Sequence, residues 1–242
     1  MNERTVIVIP ARYKSTRFPG KPLIDLRGIP MVVRVANICA QVLAKKDVYV
    51  ATESEQIMNV LHDFGVNGLL TSDNNLTGTD RVAEAATGID ADYYVNVQGD
   101  EPLILAEDIS KIIETKHEIP ERVVNGMTRF DPATNSPNIP KVVVNENMDL
   151  LYMSRALIPG SKSMRYDYET YRQVCIYAFT RDELRAFKTF GRKSRLEFIE
   201  DIEILRFLEM NIGIRMVEVS GSSLAVDVPE DVAMVVARLD NN

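Results

Sequence analysis

Short apolar runs alternate with helically spaced apolar positions along the first hundred residues. Residues 5–9 (TVIVI), 48–51 (VYVA) and 93–97 (YYVNV) are almost continuously apolar and rich in β-branched and aromatic side chains. Runs of this length, bounded by polar or turn residues, predict buried strands. Between the first two, Pro30 opens a segment to about residue 44 that places Met31, Val35, Ile38 and Val42 on one helical face. Thr52 or Ser54 can cap a second helix running to Phe64, where Gly65 can end it. A short strand at 69–70 and a helix starting at Thr79 or Asp80 precede the run at 93–97. The order strand–helix–strand–helix–strand predicts parallel βαβ units and an α/β doubly wound sheet.

The second half is less regular. Residues 123–130, 142–144 and 174–179 read as strands separated by polar loops. Residues 194–210 read as one helix opened by a Ser194-x-x-Glu197 capping box. A strand at 214–219 and a helix at 229–239 close the chain. With no internal repeat, low-complexity tract or linker, the reading is one domain over 1–242 with an elaborated C-terminal half.

Composition narrows the chemistry. The 242 residues are 45% hydrophobic and 26% charged, enough to bury a core. No run approaches the roughly eighteen apolar residues of a membrane span, and the opening residues lack the features of a signal peptide; the expected location is the cytoplasm. Cys39 and Cys175 lie in apolar stretches without CxxC spacing and read as reduced core thiols. With two histidines and two cysteines, a bound metal should be a hard cation held by carboxylates rather than zinc. The net charge of −7 disfavours nucleic acid. Yet Arg12, Lys14, Arg17 and Lys21 fall within ten residues, a concentration suited to a small anion.

Ligands of such sheets bind beyond the carboxyl ends of the strands, and three segments carry candidate chemistry. The loop from Pro10 to Leu23 follows the first strand. Its amides, hydroxyls and cations can cradle a triphosphate, although a solvated basic loop has the same composition. It is not a Walker A loop, because Pro22 follows Gly20-Lys21. The turn Gln98-Gly99-Asp100-Glu101-Pro102 follows the third strand. There Asp100 can bind Mg²⁺ and Gln98 a base or ribose, or the segment is a plain turn. Asp227, in Asp227-Val228-Pro229-Glu230-Asp231, is a second metal carboxylate, the N-cap of the last helix, or both. A sugar phosphotransferase, or a protein that binds a nucleotide without turnover, would share several of these features.

Together with Val50-Ala51-Thr52, Gly78-Thr79-Asp80-Arg81, the run from Tyr152 to Pro159, Ile176-Tyr177 and Leu196-Glu197, these segments form a collinear set along nearly the whole chain. The set resembles the bacterial 3-deoxy-manno-octulosonate cytidylyltransferases, the CMP-Kdo synthetases. The resemblance implies a nucleotidyltransferase, Rossmann-like three-layer fold with a mostly parallel central sheet and a small dimerisation subdomain. It implies a homodimer that uses CTP, a sugar acid and Mg²⁺, yielding CMP-sugar and pyrophosphate for lipopolysaccharide synthesis. It assigns catalysis to Lys21, Arg12, Asp100 and Asp227, the last two as metal ligands. Nucleotide binding falls to Ala11, Arg12, Arg17, Lys21, Gly78, Asp80, Arg81 and Gln98. Sugar binding falls to Arg155, Gln173, Tyr177 and Glu203. Two positions depart from the family pattern: Gln173 replaces the histidine of a His-x-Gly-Ile-Tyr run, and Ile204 replaces the glutamine after the pocket glutamate. Both fall on the sugar side. The expected acceptor is therefore 3-deoxy-manno-octulosonate, its 8-amino analogue or another ulosonic acid.

Overall fold

The structure, a computed structural model, describes residues 3–14, 18–160, 162, 169–221 and 223–240. At its centre β1 (Thr5–Ala11) is buried at every position after Thr5. A strand buried on both faces needs a layer of helices on each side, and alternate residues of β1 enter two separate cores. Val6 and Val8 pack with Val82 and Ala83 of α3 (Gly78–Ala85) and with Leu184 and Phe187 of α5 (Arg181–Phe190). Ile7 and Ile9 pack with Val32, Val35 and Cys39 of α1 (Met31–Val42). The same core takes Ile57 and Leu61 of α2 (Glu55–Asp63) and Ile109 and Ile112 of α4 (Ala106–Glu118). This is the three-layer arrangement.

The sheet runs in the order β3-β2-β1-β4-β8-β5-β9. Its strands are β2 (Val48–Thr52), β3 (Asn67–Leu70), β4 (Tyr93–Val97), β5 (Val123–Arg129), β8 (Tyr171–Thr180) and β9 (Ile214–Glu218), beside β1. The expected parallel units are present: β1 pairs in parallel with β2 and β4, β2 with β3, and β5 with β9. β8 lies antiparallel between β4 and β5. A hairpin of β6 (Lys141–Val144) and β7 (Leu150–Ser154) joins it through β6. No helix among the described residues is long and apolar enough to cross a membrane.

Three elements were absent from the sequence-based expectations: α4, α5 and β7. One expected element is corrected. Residues 194–210 are not a single helix but α6 (Arg195–Glu200) and α7 (Leu205–Glu209), separated where Asp201 turns left-handed at φ 51°. Glu197 does accept the Ser194 N–H at 2.9 Å, as a capping box requires. The break buries Ile202 and Ile204 and carries Glu203 across to α3. The last helix, α8 (Pro229–Leu239), starts as expected. Both cysteines are free; Cys39 is buried and Cys175 half-buried, and burial pushes both thiols well up.

Candidate active site

β1 and β4 are parallel neighbours, so the chain leaves both at the same edge of the sheet. Gly99 lets the two exits touch: a Cβ there would lie 3.1 Å from the Pro10 carbonyl oxygen. Beyond them opens a cavity of about 320 Å³. Of the residues singled out in the sequence, it gathers Ala11, Arg12, Lys21, Gly78, Gln98, Asp100, Glu203 and Asp227 at its walls, together with Lys14.

The two aspartates converge on one cation. The Lys21 ammonium donates to Asp100 Oδ2 at 2.7 Å and to the Val226 carbonyl at 2.8 Å, and lies 3.9 Å from Asp227 Oδ1. The segments that carry them are joined directly, because Val226 N–H donates to the Asp100 carbonyl at 2.9 Å. Val226 itself is buried against Leu26, Met31 and Val235. Asp227 does not cap the last helix. The N-cap of α8 is Val228, and Asp231 Oδ2 accepts both the Asp227 and Val228 N–H groups at 2.7 and 3.0 Å. Asp227 thus precedes the cap, with its carboxylate beside Lys21.

The next residue has a different environment. Glu101 is buried, and burial raises its carboxyl to about 6; Asp100 adds to the rise, while Ser223 and Arg172 oppose it. On the opposite wall, Glu203 accepts Gly78 N–H and Thr79 N–H at 3.0 and 2.8 Å, capping the start of α3 with a carboxylate. The Gln98 amide lies against Gly78, where a Cβ would approach its Nε2 to 3.1 Å.

A family model described as Cytidylyltransferase matches residues 6–215. The chain belongs to the cytidylyltransferase family. It is 40% identical to the 3-deoxy-manno-octulosonate cytidylyltransferase of Chloroherpeton thalassium, over 98% of each chain. It is 38% identical to the 8-amino-3,8-dideoxy-manno-octulosonate cytidylyltransferase of Shewanella halifaxensis, over 96% of this chain and 97% of that one. Among solved structures, a CMP:2-keto-3-deoxy-manno-octonic acid synthetase complexed with CTP superposes with a TM-score of 0.93. It is 35% identical and covers 98% of this chain and 99% of its own.

Several residues implied by the resemblance stand outside this cytidylyltransferase's cavity lining. Asp80 faces away: its two oxygens accept from Arg206 at 2.7 and 3.0 Å, and it accepts from the Thr77 hydroxyl at 2.7 Å. Arg81 is buried, paired with Glu53 at 3.0 Å and hydrogen-bonded to Thr71. The Arg155 guanidinium is taken up by the carbonyls of Pro137, Glu200 and Asp201. Gln173 donates to Asn125 Oδ1 at 3.1 Å and to the Tyr177 hydroxyl at 3.2 Å in a buried network. Burial raises the Tyr177 phenol, with the charge of Glu203 among the smaller contributors. Arg17 lies outside the described residues. Sequence reading missed Glu53 and Arg206. Both are charged residues whose importance shows only once their partners are in place.

Proposed function

We propose that the protein transfers CMP from CTP to the anomeric hydroxyl of 3-deoxy-manno-octulosonate or its 8-amino analogue, releasing pyrophosphate, in lipopolysaccharide synthesis. The observation that carries this reading is the convergence of Asp100 and Asp227 beside Lys21, in a cavity whose wall also holds Arg12 and Lys14.

In-line attack of the sugar hydroxyl on the α-phosphorus breaks its bond to the β-phosphate bridge, and the electron pair leaves with pyrophosphate. Such a reaction depends on positioning and charge neutralisation rather than on a covalent enzyme intermediate. Arg12, Lys14 and Lys21, joined by Arg17, would neutralise the triphosphate and the charge that moves onto pyrophosphate. The Gln98 amide, fixed against Gly78, can donate to and accept from cytosine. Glu203 can accept from sugar hydroxyls while held on the α3 amides.

The donor set suits Mg²⁺. Two carboxylates and one carbonyl already surround a cation, the Lys21 ammonium, with oxygen alone. Among the described residues no group of three or more His, Cys, Asp or Glu side chains is placed to hold a metal ion by itself. Substrate oxygens and water would complete the shell, as Mg²⁺ commonly requires. When bound to Asp100 and Asp227, the ion would supply charge compensation at the α-phosphate and a lower pKa for the attacking hydroxyl.

Acceptor choice is assigned to the buried Gln173–Tyr177 network. Gln173→His is expected to change the ratio of kcat/KM between 3-deoxy-manno-octulosonate and its 8-amino analogue by about tenfold, with the KM for CTP unchanged. Steady-state kinetics with both acids check it. An unchanged ratio would remove Gln173 from the specificity account, and a clear preference of the unmodified protein for the plain acid would exclude the 8-amino analogue as its substrate. The homodimer is part of the same proposal, supported by Phe198 and Ile199, which stand 75% and 66% exposed on α6. Light scattering at micromolar concentration should give twice the chain mass, and Phe198→Glu should halve it.

A further inference from the structure

Neither member of the ion pair between Arg81 and Glu53 lines the cavity, and their side chains are 1% and 6% exposed. Its contacts nonetheless lead to the catalytic lysine. The parallel register of β1 and β2 places Ala11 beside Thr52, so Glu53 stands alongside the chain as it leaves β1. One carboxylate oxygen, Oε2, faces Arg81 at 3.0 Å. The other, Oε1, accepts the Tyr13 N–H at 2.9 Å and the Lys14 N–H at 3.5 Å. The Tyr13 carbonyl in turn accepts the Gly20 N–H at 3.0 Å. Gly20 adopts φ 72°, a left-handed conformation natural to glycine, and packs within 3.7 Å of the Tyr13 ring as measured from a Cβ position. The following residue is Lys21, whose ammonium reaches Asp100 and Asp227.

We propose that Glu53 and Arg81 are positioning residues for the triphosphate side of the cavity. Glu53 fixes the Tyr13 peptide, the Tyr13 peptide fixes Gly20, and Arg12, Lys14 and Lys21 are thereby presented together. Arg81 supplies the charge that lets a glutamate sit there, since an unpaired buried carboxylate is costly. This rests on the cytidylyltransferase reading above. It assigns Arg81 a role one contact removed from the nucleotide. A lone Glu53–Arg81 pair would otherwise be an ordinary structural feature, and the distinction lies in the Tyr13 hydrogen bond.

The test compares two double variants that both lack the ion pair. Glu53→Gln with Arg81→Met keeps a carbonyl oxygen for the Tyr13 N–H, and Glu53→Leu with Arg81→Met does not. Affinity for CTP with Mg²⁺ is read by titration calorimetry without the sugar acid, alongside thermal midpoints and the KM for the acid. The glutamine double is expected to bind CTP within about twofold of the unmodified protein, and the leucine double about tenfold more weakly, the scale of one lost hydrogen bond. The two midpoints and the acid KM should agree between the doubles. Equal CTP affinity in both doubles overturns the proposal. If the leucine double does not fold, Glu53→Asp replaces it: the charge opposite Arg81 remains, the reach to Tyr13 shortens, and weaker CTP binding at an unchanged midpoint is expected. Unaltered binding in that variant overturns the proposal. Failure of the unmodified protein to bind CTP would instead overturn the nucleotide reading itself.

Discussion

Replacing Asp100 or Asp227 with alanine is expected to lower kcat by on the order of 10²-fold or more, the scale of removing one preorganised electrostatic stabiliser. The effect should be local. The main-chain bond from Val226 N–H to the Asp100 carbonyl survives both substitutions, as do the Asp231 contacts that start α8. Lys21 keeps the Val226 carbonyl but loses one carboxylate partner. Because the two aspartates serve one cation, the double variant should be little worse than either single one, as is usual for residues acting as a unit. Steady-state rates with circular dichroism as a folding control check this. Normal turnover in either variant would show that the substituted residue is not a ligand.

Arg206→Met should cost about 3–5 kcal/mol of folding stability, the range for stranding one partner of a buried ion pair. Arg206 and Glu197 are both fully buried, and the guanidinium binds Glu197 at 2.6 and 2.7 Å and Asp80 at 2.7 and 3.0 Å. It also lies 3.7 Å from the centroid of the Phe187 ring. One side chain thus ties α7 to α3, α5 and α6, next to the segment that delivers Glu203. Methionine fills much of the volume but leaves Glu197 charged without a counter-ion. Urea denaturation measures the difference; a loss below about 1 kcal/mol would place the pair among those that contribute little net stability.

The parts of the fold that were legible in the sequence are those where one local rule decides the outcome. Residues 5–9, 48–51 and 93–97 are apolar without alternation because their strands are covered on both faces, and the exits of β1 and β4 carry the cationic and acidic segments that line the cavity. The missed elements have mixed signals. The buried face of α4 includes Lys116, whose charge interrupts the apolar stripe and is paired with Glu183 on α5. α5 is capped by Thr180, which also ends β8, so its capping box with Glu183 lies at the end of an apolar strand. The break at Asp201 depends on a contact from Glu203 to residues 78 and 79, which no local pattern encodes. The same holds at the site. The meeting of Asp100 and Asp227 was implied by resemblance rather than by spacing. Asp80 and Arg81, assigned to the nucleotide by resemblance, pair with Arg206 and Glu53 in space.

The central claim is that the carboxylate pair and cationic loop serve attack at the α-phosphorus of CTP, and the identity of the released phosphate decides it most directly. Phosphorus NMR of the protein incubated with CTP, Mg²⁺ and 3-deoxy-manno-octulosonate or its 8-amino analogue should show pyrophosphate and a CMP-sugar rising together in equal amounts. Appearance of CDP would mark phosphoryl transfer from the γ-position, and intact CTP would mark binding without turnover; either result would contradict the account.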